Sequence, residues 1–208
     1  MRKIGLAVLL VAGATVAHAD TLTLTALTTF HELQQTTNNP CVIGDPSCSN
    51  GGFAETIFLS GASSYINVQS PIYTVADIRS IVGNTFDIGV DVNQTEVTQT
   101  LDLFTMSING VVVDTYSANP ATLVPPTVGG GNGNGYADYL LTGFTSLAGL
   151  PGTDTVQFTV DMPLVNDGRE EYFLVSASSV PTPEPSTLAL LGTGFGAAGL
   201  FLRKRFAR

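Results

Sequence analysis

Between residues 20 and 180 the apolar positions recur every second residue, and this period constrains the chain more than any other feature. Successive side chains of a strand point to opposite faces, so such a pattern fits a strand with one face in a core and one in water. Thr21-Leu-Thr-Leu-Thr25 alternates cleanly. Phe86, Ile88, Val90 and Val92 form one face of a run that carries Asp87, Asp91 and Asn93 on the other. Val156, Phe158, Val160 and Met162 form a second inward row, with Gln157, Thr159 and Asp161 outward. Asn109-Gly110, inside Ser107-Ile-Asn-Gly-Val-Val112, suits the type I′ turn of a tight hairpin. Further strands are expected near 53–59, 63–68, 72–76, 99–108, 111–117, 139–147 and 170–178. No stretch of this region gives a sustained helical pattern. The fold class expected is all-β, an antiparallel β-sandwich, with jelly-roll topology the favoured form.

The two ends are built differently from the middle. Residues 1–19 place Arg2 and Lys3 before an apolar run from Ile4 to Val16, followed by Ala17-His18-Ala19. This is the layout of a secretory signal peptide cleaved after Ala19, and the apolar run is short for spanning a bilayer. Residues 181–208 contain an uncharged run, Ser186 to Leu202, which as a helix would rise roughly 25 Å, at the lower limit for a membrane span. The basic tail Arg203, Lys204, Arg205 and Arg208 marks its cytoplasmic side. Three parts are therefore expected: a signal peptide at 1–19, an exported β-sandwich domain at 20–180, and a C-terminal segment at 181–208. Gly194, Gly196 and Gly199 match a dinucleotide-binding glycine pattern, but no second strand or acidic residue follows, and the match is rejected.

Pro183-Glu184-Pro185, the Gly/Leu-rich run and Arg203-Lys204-Arg205 occur in that order at the C-terminus, and together they resemble the PEP-CTERM sorting signal of Gram-negative bacteria. The resemblance implies an exosortase as partner, insertion of the C-terminal transmembrane helix in the membrane before processing, and delivery to the cell envelope or extracellular matrix. It also implies an association with exopolysaccharide and biofilm. Two prolines hold the chain extended, where a protease-like cleft can take it. Blocks around Asp91–Thr95, Gln99–Asp102 and Tyr136–Phe144 are similar to ectodomains of other proteins with such tails, and bring no activity with them.

Charge removes several functions. Only Arg79 and Arg169 are basic between residues 20 and 182, against 16 acidic residues, a net −14 with no lysine. Nucleic-acid binding needs cationic side chains to displace counterions, and a P-loop needs its lysine. Cys41 and Cys48 are the two cysteines, and in an exported chain a disulfide is the default reading, worth about 2.5 kcal/mol for so short a loop. His31 is the one histidine left after signal cleavage, which disfavours zinc and Cys-His or Ser-His catalysis.

Asp87, Asp91 and Asn93 on one strand face, joined by Asp138 and carbonyls of the glycine loop Pro125–Tyr136, are the candidate ligands of a Ca²⁺ ion. A solvated strand face also carries such residues with no ion. Glu170 and Glu171 beside Arg169 read as an exposed charge cluster. The chain has no tryptophan for sugar stacking, although Tyr136 and Tyr139 leave room for weak glycan contact. The reading is a secreted, non-enzymatic envelope or matrix protein with no required cofactor. The alternatives are a calcium-dependent glycan-binding module and, behind it, a polysaccharide-processing hydrolase.

Overall fold

The computed structural model describes residues 19–28, 33–58, 65–93, 99–123, 133–163 and 168–177, with backbone alone for 119–123. Residues 1–18 with the expected signal-peptide run, His31, residues 124–132 and everything beyond residue 177 lie outside them, including Pro183–Pro185 and Arg203–Arg205.

Strands β1 (Asp20–Thr21), β9 (Val111–Leu123), β8 (Thr100–Ile108), β11 (Thr155–Met162) and β5 (Tyr65–Gln69) follow one another across the first sheet, and β6 (Tyr73–Thr74) also pairs with β11. The second sheet runs β2 (Thr23–Ala26), β10 (Tyr139–Thr142), β7 (Phe86–Asp91), β12 (Glu171–Ser176), β3 (Cys41–Gly44) and β4 (Thr56–Ile57). Most pairings are antiparallel; β1 with β9 and β3 with β4 are parallel. The β8–β9 pair is nested inside the β7–β10 pair, so this ribbon passes from one sheet to the other. The expected all-β sandwich is present.

Alternation explains the first sheet well. On β11, Val156, Phe158, Val160 and Met162 are buried and the residues between them are half-buried. They meet Phe104 and Met106 from β8, and Phe86, Ile88 and Val90 from the facing sheet, in one continuous core. Asn109 and Gly110 take φ of 51° and 76°, the positive values that the type I′ turn requires.

The second sheet departs from alternation. Every residue of β7, and Glu171 to Val175 of β12, is buried. Leu33, Cys41, Ala137 and Leu140 join Phe173 and Val175 in a second apolar cluster that covers the sheet's outer face. The cysteines form the expected disulfide, Cys41–Cys48. It fastens one edge of this cover. Gly89 shows how tight the outer layer is. A Cβ placed there would lie 2.6 Å from two ring carbons of Phe173, the residue directly across on β12.

One element escaped the sequence reading. Strand 72–76 is cut to Tyr73–Thr74, and α1 (Val75–Val82) follows at once. Thr74 caps it: its Oγ1 accepts from the Asp77 N–H at 3.1 Å, and the Asp77 carboxylate accepts from the Thr74 N–H at 2.9 Å. Val75, Ile78 and Val82 are buried at helical spacing, too few for a sustained pattern. Elsewhere β4 is shorter than expected and β9 longer, while β10 stops before Gly143, whose φ of 94° turns the chain.

Gly89→Val is expected to lower unfolding stability by about 1–3 kcal/mol through overpacking against Phe173. Urea denaturation measures it, and a companion Gly89→Val/Phe173→Leu variant should recover part of the loss.

Candidate functional site

The carboxylates gather at one end of the doubly covered sheet. Asp91 ends β7 and stands directly across from Glu171, which begins β12, so the two share the outer face. Cross-strand neighbours have Cβ atoms about 4.5–5.5 Å apart. Asp138 reaches the same end from the start of β10, accepting the Val92 N–H at 2.9 Å. Asp91 accepts the Gly135 N–H at 2.6 Å, and Glu170 accepts the Asn93 N–H. Each of these three carboxylates thus ties down one backbone amide where β7 leaves the sheet.

The environment is not the solvated face expected for Asp87, Asp91 and Asn93. Asp91 is 1% exposed and Asp87 8%, because residues around 33–50 and 133–138 lie over the outer face. The reading of Glu170 and Glu171 as exposed is also corrected, since they are 0% and 5% exposed. Only Arg169 of that trio stays accessible, in an ion pair with Asp45 at 2.9 Å. A run in which Tyr172, Phe173, Leu174 and Val175 are apolar at both parities signals a strand covered on both faces, and it follows Glu171 directly.

Burial raises the acids. Asp91 is pushed up to about 8 by desolvation first, then by Glu171, Asp138 and Glu170. Glu171 is pushed up to about 7 by desolvation, then by Asp45, Glu55 and Glu170. Asp87 is pushed up to about 6 by desolvation alone. Its place on the strand is apart from the others. It stands four positions before Asp91, roughly 13 Å along the strand, and its cross-strand neighbour is Val175.

The four proposed calcium ligands are therefore not drawn into one ligand set. Asp91 and Asp138 approach, and Asp87 stands away from both. Asn93 sits where a Cβ on Gly133 would come within 2.8 Å of its side chain. Among the described residues, the group of three acidic or thiol ligand atoms that lie within 4.8 Å of one another is Cys41, Cys48 and Glu55. Both of its sulfurs are already bonded to each other. The tyrosines, too, serve packing: Tyr65, Tyr73, Tyr116, Tyr139 and Tyr172 are all buried, leaving Tyr136 as the partly exposed one.

Among the described residues no helix is long and apolar enough to cross a membrane, and the Ser186–Leu202 run lies outside them. Comparison with protein families finds the PEP-CTERM protein-sorting motif at residues 181–205. No curated protein and no solved structure matches the chain. The motif makes the chain an exosortase-sorted, exported protein of the bacterial cell surface or exterior.

A carboxyl group whose folded-state pKa is raised keeps its proton in the folded chain while the unfolded chain loses it. Stability is then greatest at acid pH and falls as pH rises from the ordinary carboxylate range, near 4, through the folded values of about 6 to 8 for Asp87, Glu171 and Asp91. The melting temperature is expected to drop steadily between pH 5 and pH 8.5, and Asp91→Asn should flatten the upper part of that slope.

Proposed function

We propose that the chain is a non-enzymatic structural protein of a Gram-negative cell envelope or exopolysaccharide matrix, carried there by its C-terminal signal. The observation that carries this reading is the sorting motif at 181–205 behind a domain whose polar chemistry is turned inward. Its carboxylates hold backbone amides at a strand end, and its aromatic rings fill the core. Sugar-cleaving enzymes need two accessible carboxylates flanking a substrate. Asp91 and Glu171 are paired but sealed under the outer cover. The nested ribbons of β7–β10 and β8–β9 support the jelly-roll form of the sandwich.

The calcium-dependent glycan-binding reading draws on one detail: among the described residues, Glu171 Oε2 is buried with no hydrogen-bond partner. Binding there would require the neighbouring carboxylates to close on an ion. Excess EDTA distinguishes the readings. The structural role expects no change in melting temperature, whereas a resident ion gives a clear drop.

Processing has its own outcome. Mass spectrometry of surface material should find the mature C-terminus near Pro183–Pro185, and Arg208 retained on all surface protein would contradict sorting by cleavage. Retention on an affinity gel of the host polysaccharide would favour the glycan-binding module over the structural role, and released reducing ends would establish an enzyme instead.

A further inference from the structure

The fold begins where the export signal is expected to end. Asp20 and Thr21 pair in parallel with Asp114 and Thr115 at the edge of the first sheet. Leu22 follows, 3% exposed in the core, with its N–H donated to the Thr115 carbonyl at 2.8 Å. The chain then crosses at once into the second sheet as β2. Residues 20–26 are therefore a strap between the two sheets, and cleavage after Ala19 would leave no residue to spare.

Asp114, beside Asp20, is a second anomaly. It is 0% exposed and stands opposite Met106, a core residue of β8, so its carboxylate points between the sheets. Thr145 satisfies both oxygens, through Oγ1 at 2.6 Å and the backbone N–H at 3.0 Å. Neutral donors do not balance its charge, and a buried carboxylate is costly without a cation. Among the described residues, the ionisable groups placed beside it are the Asp20 carboxylate, its partner across the strand pair, and Tyr116, two residues along β9. Neither is a cation, and burial together with Asp20 raises the Asp114 carboxyl.

We propose that removal of the signal peptide completes the sandwich electrostatically, the new α-ammonium of Asp20 becoming the counter-charge of the buried Asp114. Uncleaved, the same nitrogen is a neutral peptide amide. Export and folding are thereby coupled: the precursor lacks the interaction that the mature chain gains outside the membrane. The proposal rests on the export reading and on cleavage after Ala19.

The test compares, in detergent, the chain from Asp20 to Arg208 with the same chain extended at its start by Ala-Ala-Ala, which moves the charge roughly 10 Å away. At pH 6 the Asp20 chain should melt roughly 2–4 °C higher. The difference should vanish by pH 10, where the α-amine is neutral, and in Asp114→Asn. If that variant fails to fold, NMR titration of the wild-type α-amine decides: a value above its ordinary range supports the pair, and an ordinary one overturns it. Equal melting at pH 6, or a difference that persists at pH 10, also overturns it. N-terminal sequencing of the exported protein separates the two ideas. A start other than Asp20 defeats the cleavage reading and the proposal with it, whereas an Asp20 start with equal melting defeats the proposal alone.

Discussion

Burial of β7 and β12 on both faces is the constraint on which the rest of the structure depends. Their inner faces meet the first sheet through Ile88, Val90 and Leu174. Their outer faces are covered by a layer that the Cys41–Cys48 disulfide fastens and that Phe173 and Val175 anchor. The Phe173 ring packs against Gly89, so the glycine is needed for close approach and not for a turn. The same cover takes Asp91 and Glu171 out of water, and that desolvation is the first cause of their raised carboxyls. One packing choice thus sets the density of the outer layer, the protonation of the carboxylates and the inaccessibility of what might have been a binding face.

The legible part of the fold was the part with one wet face. On β11 the strict alternation of apolar and polar residues gave the inward row, and Asn109-Gly110 gave the hairpin turn, because both signals are local. The outer cover was not legible in the same way. Asp87 and Asp91 alternate with apolar residues as solvent-facing groups do, and nothing in β7 itself reports that residues 33–50 and 133–138 will lie over them. The clue lay in β12, where Tyr172 to Val175 are apolar without interruption. Helix α1 is a different case. Its capping residues Thr74 and Asp77 were visible, but eight residues are too few for periodicity to outweigh the flanking strand signal.

The division of charge follows the same logic. Six of the eight basic residues sit at the two ends, three of them inside the sorting motif at 181–205, and the remaining two are absorbed by the domain. Arg169 pairs with Asp45, and Arg79 bonds the carbonyls of Leu147 and Leu150. Residues 20–182 keep an excess of acidic over basic side chains, which opposes close approach of anionic polymers. A protein of this kind is placed by its tail more than by its surface. The sorting motif at residues 181–205 contributes the destination.

The most direct test of this account is the location of the protein in a host from which the exosortase has been removed. The account predicts that the full-length chain, with its C-terminal run intact, accumulates in the inner membrane while the surface and matrix fractions lose it. An undiminished amount in those fractions would contradict sorting by the tail.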